Sequence, residues 1–138
     1  MYRLVSLGLC GLLLVACSTA APGPSLVGTW IGVDSAGNTM SLVFEANGEG
    51  LWVVQMPEAT DTMKVDWVAD LQATPHHLDV THFDHGPLAG ATLYGILEFT
   101  SPDAFRLDLE PGPPGAGDRA PRPTEFSSET VVFSRVPE

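Results

Sequence analysis

The chain has 138 residues, about one domain's worth, with 17 acidic residues against 6 basic ones and a formal net charge of −11. That balance excludes a nucleic-acid binder, whose affinity comes from Lys and Arg neutralising phosphates, and it sets the body of the chain against anionic membrane surfaces. Two cysteines, Cys10 and Cys17, are too few for a zinc cluster or a disulfide scaffold.

The first element is a leader. Met1-Tyr2-Arg3 gives a short positive start, and Leu4–Val15 is an apolar run too short to span a bilayer, as in a signal peptide over residues 1–16. The following Leu14-Val15-Ala16-Cys17 resembles the bacterial lipobox. That resemblance implies cleavage before Cys17 and diacylglycerol on its sulfur, with each buried methylene adding about 0.8 kcal/mol of membrane affinity. The alternative is an ordinary signal peptide followed by a chance cysteine. Cleavage removes Cys10 and also Arg3, so five basic residues face 17 acidic ones and the charge becomes −12. Ser18 lacks the Asp that retains lipoproteins in an inner membrane, which favours the outer membrane where one exists. Residues 17–25 then form the lipidated cysteine and its tether; Ser18–Ser25 is small, polar and proline-bearing and reaches at most about 26–29 Å.

From Leu26 the hydrophobic pattern has period two, the signature of strands. It predicts strands at Leu26–Val33, Thr39–Ala46, Leu51–Met56, Met63–Ala73, His77–Phe83, Ala91–Thr100, Ala104–Glu110 and Glu129–Val136. Asn47-Gly48-Glu49-Gly50 is a hairpin signal. The clearest alternation sets Met63, Val65, Trp67, Ala69, Leu71 and Ala73 against Lys64, Asp66, Val68, Asp70 and Gln72. A helix would scatter those residues around its circumference. Pro111–Pro123, rich in proline and glycine, reads as a loop. Eight short strands with tight connections predict residues 26–138 to be one all-β domain, an antiparallel sheet closing on itself. Its expected inward set is Trp30, Phe44, Trp67, Leu71, Leu93, Leu97, Phe99, Phe105, Leu107 and Phe133.

Gly28-Thr29-Trp30 on the first strand resembles the Gly-x-Trp start of lipocalins, where the tryptophan plugs the closed end of the barrel. Further along come Pro75-His76-His77-Leu78-Asp79-Val80, Leu93-Tyr94-Gly95-Ile96, Phe105-Arg106-Leu107, Arg122-Pro123-Thr124-Glu125-Phe126 and Val132-Phe133-Ser134-Arg135. Together they resemble an uncharacterised bacterial lipocalin-like domain family over Leu26–Val136, with the Arg-Pro-x-Glu-Phe segment the most specific part. The Pro/Gly insert before Arg122 departs from that pattern. The resemblance implies a lipocalin-like up-and-down barrel of about eight strands and no established activity.

Several constellations bear on function. His76, His77, His82 and His85 cluster with Asp79 and Asp84, which suggests metal handling with His82, Asp84 and His85 as turn ligands. Alternation opposes convergence, because His77 and Asp79 face away from His76 and His82. Arg122 and Glu125 are candidates for holding a ligand carboxylate at the barrel mouth; the structural alternative pairs them with each other, or Arg122 with a nearby carboxylate. Trp30, Trp52, Trp67 and Tyr94 would line a pocket for an apolar ligand, or simply fill the barrel. No Gly-x-Ser-x-Gly elbow and no phosphate-cradling glycine loop occur, so neither an enzyme nor a cofactor is indicated. The sequence thus leads to an envelope lipoprotein, anchored in the membrane at Cys17, that binds a small apolar or amphiphilic molecule. The alternative is a structural or protein-interaction domain with a filled core.

Overall fold

The computed structural model describes residues 22–111 and 122–138. The signal segment and Cys17 lie outside them, as does most of the Pro/Gly loop. Eight strands form a closed antiparallel barrel in chain order, and no helix occurs among the described residues. They are β1 (Gly28–Val33), β2 (Thr39–Phe44), β3 (Glu49–Gln55), β4 (Thr60–Asp70), β5 (His76–Thr81), β6 (Leu93–Ser101), β7 (Ala104–Pro111) and β8 (Val131–Arg135). Closure is made by β1 against β8, with Trp30 opposite Arg135 and Gly32 opposite Phe133. No edge strand is left open to another chain.

The predicted inward set holds. All ten of those residues belong to the core or pack against it, joined by Leu42, Trp52, Met63, Val65, Leu78 and Val80. Strand boundaries differ by a few residues. β4 begins at Thr60 because Thr60, Asp61 and Thr62 pair with Gln55, Val54 and Val53 of β3 in a hairpin. It ends at Asp70, three residues early, where the Asp70 carboxylate accepts the N–H groups of Gln72 and Ala73 and turns the chain. Similarly, β5 stops at Thr81. His82 adopts φ +54°, which a continuing strand would not allow.

Up-and-down topology gives the barrel two ends. One carries the 45–48, 71–75 and 102–103 turns, together with residues 22–27 and the C-terminus; the other carries the 34–38, 56–59 and 82–92 connections and the long β7–β8 connection. The first end is plugged with aromatics. Trp30 is fully buried, its ring 4.6 Å from Phe105 and 6.4 Å from Phe99, and Phe105 stacks on Phe133 at 5.3 Å. Its indole N–H donates to the Leu26 carbonyl at 2.7 Å. Arg135 lies over the same ring at 4.1 Å and donates to the carbonyls of Val27 and Ser25. This arrangement requires glycine at position 28: its φ is +133°, and a Cβ there would meet the Arg135 guanidinium at 2.6 Å.

One feature departs from simple alternation. Leu93 through Leu97 are all buried, although Tyr94 and Ile96 point out of the barrel. The cover is the end of the β7–β8 connection, residues 122–130, which lies as a strap across the outer wall. Arg122 donates to Asp79 Oδ1 at 2.5 Å and to the Gly95 carbonyl at 2.8 Å, with its guanidinium 5.6 Å from the Tyr94 ring. Phe126 lies 3.9 Å from the Arg106 guanidinium. The buried Asp108 carboxylate accepts the Ser127 N–H at 2.6 Å and the Thr130 hydroxyl at 3.1 Å. The unbroken apolar run LYGIL is therefore a strand covered on both faces.

Candidate functional site: the barrel mouth

At the end opposite the aromatic plug the inward residues are lighter, and they leave a cavity of about 190 Å³. Its wall is built by alternation: Met40 from β2, Trp52 from β3, Leu93 from β6, Leu107 and Leu109 from β7, and Val131 and Phe133 from β8. Beside Trp52 and Phe133 this wall is mostly aliphatic, and Met40, Leu93, Leu107, Leu109 and Val131 occupy less volume than the rings gathered at the plugged end, so the same strand pattern fills one end and hollows the other. An apolar cavity of about 150 Å³ accepts benzene, so this one suits a single ring or a short chain. Glu129 alone among the lining residues is charged. Its Oε2 accepts the Ser35 hydroxyl from the β1–β2 turn, and its N–H donates to Ser127 Oγ at 3.1 Å.

The 82–92 connection closes one side of this end. Phe83 is buried against Trp52 at 5.9 Å, and Leu88 packs on the core. His85 fastens the connection: its Nε2 lies 2.9 Å from Asp61 Oδ1 on β4, and its Nδ1 lies 2.7 Å from Asp84 Oδ1. Asp84 Oδ1 also accepts the Lys64 N–H at 2.9 Å. The hydrogen bond to Asp61, then that to Asp84, hold the His85 imidazole above its ordinary pKa. For Asp84, partial desolvation pulls the carboxyl up, but the Lys64 N–H and His85 outweigh it and the net shift is downward. The third shifted group of interest is Asp108 under the strap. Burial again pushes upward, and the Ser127 N–H and hydroxyl with the Thr130 hydroxyl prevail, so its pKa lies below the usual 3.8.

The residues picked out from the sequence do not converge on one pocket. Trp30 sits in the plug, away from the mouth. Trp67 faces inward at the same closed end, 5.0 Å from Phe44, with its indole N–H shared between the carbonyls of Glu45 and Glu49. Tyr94 faces outward beneath the strap. Arg122 and Glu125 are on the strap, not at the mouth; Arg122 is paired with Asp79, and Glu125 is exposed. Elsewhere on the barrel Arg106 pairs with Glu98 and Arg135 with Asp103. His82 turns to Asp66 at 2.9 Å while Asp61 and Asp84 gather at His85. Among the described residues no group of three or more His, Cys, Asp or Glu is placed to hold a metal ion. Of the four named aromatics, Trp52 alone lines the mouth cavity.

Sequence reasoning passed over Met40, Leu109, Glu129 and Val131. Period two marks Met40, Leu109 and Val131 as inward, but says nothing of how much space opposite strands leave between them. Three larger recesses, of about 420, 470 and 240 Å³, lie outside the barrel, the last among Glu45, Glu49, Lys64, Asp66 and His82. The first is walled by Glu98 and Arg106, already paired with each other, and the second by residues 22–25 lying along the closed end. All three open on the outer surface, whereas the mouth cavity is walled by the inward side chains of the core, and on that ground it is the better match to an apolar ligand site. Comparisons with protein families, with curated proteins and with solved structures find no match.

Proposed function

We propose that this chain is an envelope lipoprotein, carried on a lipid at Cys17, whose lipocalin-like barrel binds a small apolar or amphiphilic molecule at its mouth without catalysing a reaction. The observation that carries the reading is the largely apolar cavity of about 190 Å³ at the end of the barrel opposite the Trp30 plug. The path of the chain supports it. Residues 22–27 run along the closed end, where Arg135 grips the Ser25 and Val27 carbonyls. Only five peptide units separate Pro22 from Cys17, at most about 18 Å of chain. A lipid on Cys17 therefore keeps the plugged end by the membrane and turns the mouth toward water.

Native mass spectrometry of the protein purified from its own source tests the binding. Added mass that disappears when Leu109 is enlarged to Trp is the expected result; a clean apo mass under all gentle conditions would sink the reading. Palmitate labelling tests the anchor, with loss of label in Cys17→Ser expected.

A structural or protein-interaction role has one observation of its own. Ile31 and Val33 on β1 and Val132 on neighbouring β8 are 44%, 58% and 59% exposed on the outer wall, the kind of apolar surface a partner would cover. Crosslinking in intact cells from Val33 replaced by a photoreactive residue would reveal such a partner.

A further inference from the structure

We propose that the mouth cavity selects an apolar ring or chain carrying a protonated amine, and that Glu129 is the residue that makes the selection. This rests on the reading of the cavity as a ligand site and adds the chemical class of its ligand. Three observations meet here. The wall is apolar apart from Glu129, so a ligand's one strong polar contact falls on a carboxylate. Glu129 is held in place at both ends: Ser35 donates to Oε2, and Ser127 Oγ accepts its N–H. Among the described residues Oε1 has no partner and remains able to accept.

The surroundings have the same sign. The connections at this end bring Asp34, Glu58 and Asp84. Among the described residues of those connections Arg122 is the only Lys or Arg, and it is tied to Asp79. His85 is engaged by two carboxylates. With a chain charge of −11, the mouth attracts cations and repels carboxylates from a distance. A fatty acid, an obvious occupant of an apolar barrel, would have to bring its carboxylate up to Glu129. An ammonium group meets an acceptor there, with its hydrocarbon in the cavity.

The test uses the full-length lipidated protein in phospholipid nanodiscs, titrated calorimetrically with hexylammonium, hexanol and hexanoate after subtraction of empty nanodiscs. Hexylammonium is expected to bind about tenfold tighter than hexanoate at low salt, with hexanol between, and the gap should shrink as salt is raised. Glu129→Gln should bring the three within about twofold, and Leu109→Phe, which fills the cavity, should weaken all of them. Equal binding of the three probes to the unaltered protein, or preference for hexanoate, overturns the selection while leaving the cavity a ligand site. Failure of all three to bind removes the ligand-site reading itself. Hexylammonium binding that persists unchanged in Leu109→Phe also overturns the proposal, because the amine would then sit on the acidic surface alone.

Discussion

The closed end and the mouth of this barrel are built from the same eight strands and the same alternation, yet they do opposite things. At the closed end Trp30, Phe99 and Phe105 meet ring to ring, and Arg135 seals the indole from outside. At the mouth Met40, Leu109 and Val131 stand in the equivalent inward positions and leave space. Which way side chains point is a local property of a strand. Whether they touch depends on the summed volume of residues far apart in sequence. A barrel becomes a cup by changing side-chain size from one end to the other, with no change in backbone pattern.

That contrast can be broken most forcefully at the plug. Trp30→Ala removes a fully buried indole together with the ring under the Arg135 guanidinium, and should cost about 3–5 kcal/mol of stability, read as a large fall in urea midpoint. Beside the strap, Asp108→Ala should cost about 1–3 kcal/mol by leaving the Ser127 N–H and Thr130 hydroxyl without their acceptor. Amide exchange at Ser127 and Ile96 should speed up more than at the plug. The Asp108 carboxyl also fixes a pH dependence. Its folded pKa is lowered, so its contribution is present above the ordinary 3.8 and is lost as pH falls through the folded value; Asp108→Asn should flatten the acid limb of an unfolding curve.

At the mouth, Leu109→Ala should cost only about 1–2 kcal/mol, since Leu109 is half-buried, and it should enlarge the space for ligand. A Leu109→Ala penalty as large as that at Trp30 would erase the difference between the ends. The smallest effect belongs to His85. Its pKa is raised by Asp61 and Asp84, so its contribution is full below the ordinary 6.5 and fades as pH rises through the folded value. Protection of the Asp84 N–H, which donates to the Lys64 carbonyl, measured against its intrinsic exchange rate at each pH, should fall over that rise and stay level in His85→Gln.

The strands were legible because alternation such as that over Met63–Trp67 has one inexpensive solution, a sheet with one face buried. The plug was legible through Gly28 and Trp30, where a small and a large residue on one strand announce a close approach. The strap was not. Arg122-Pro123-Thr124-Glu125-Phe126 has neither period, and its partners Asp79, Tyr94, Gly95 and Arg106 lie 20 to 43 residues away. Its one trace was the unbroken run Leu93–Leu97, which asks for cover on both faces. The cavity was least legible, since Trp30, Trp67 and Tyr94 share a residue class but occupy the plug, the closed-end hairpin and the outer wall.

The claim that one end is filled and the other hollow is open to direct view in a crystal of the protein under xenon pressure, since xenon enters apolar cavities. The account predicts xenon density among Met40, Trp52, Leu109 and Val131, with none beside Trp30. Xenon beside Trp30, or a mouth that takes none, would contradict it.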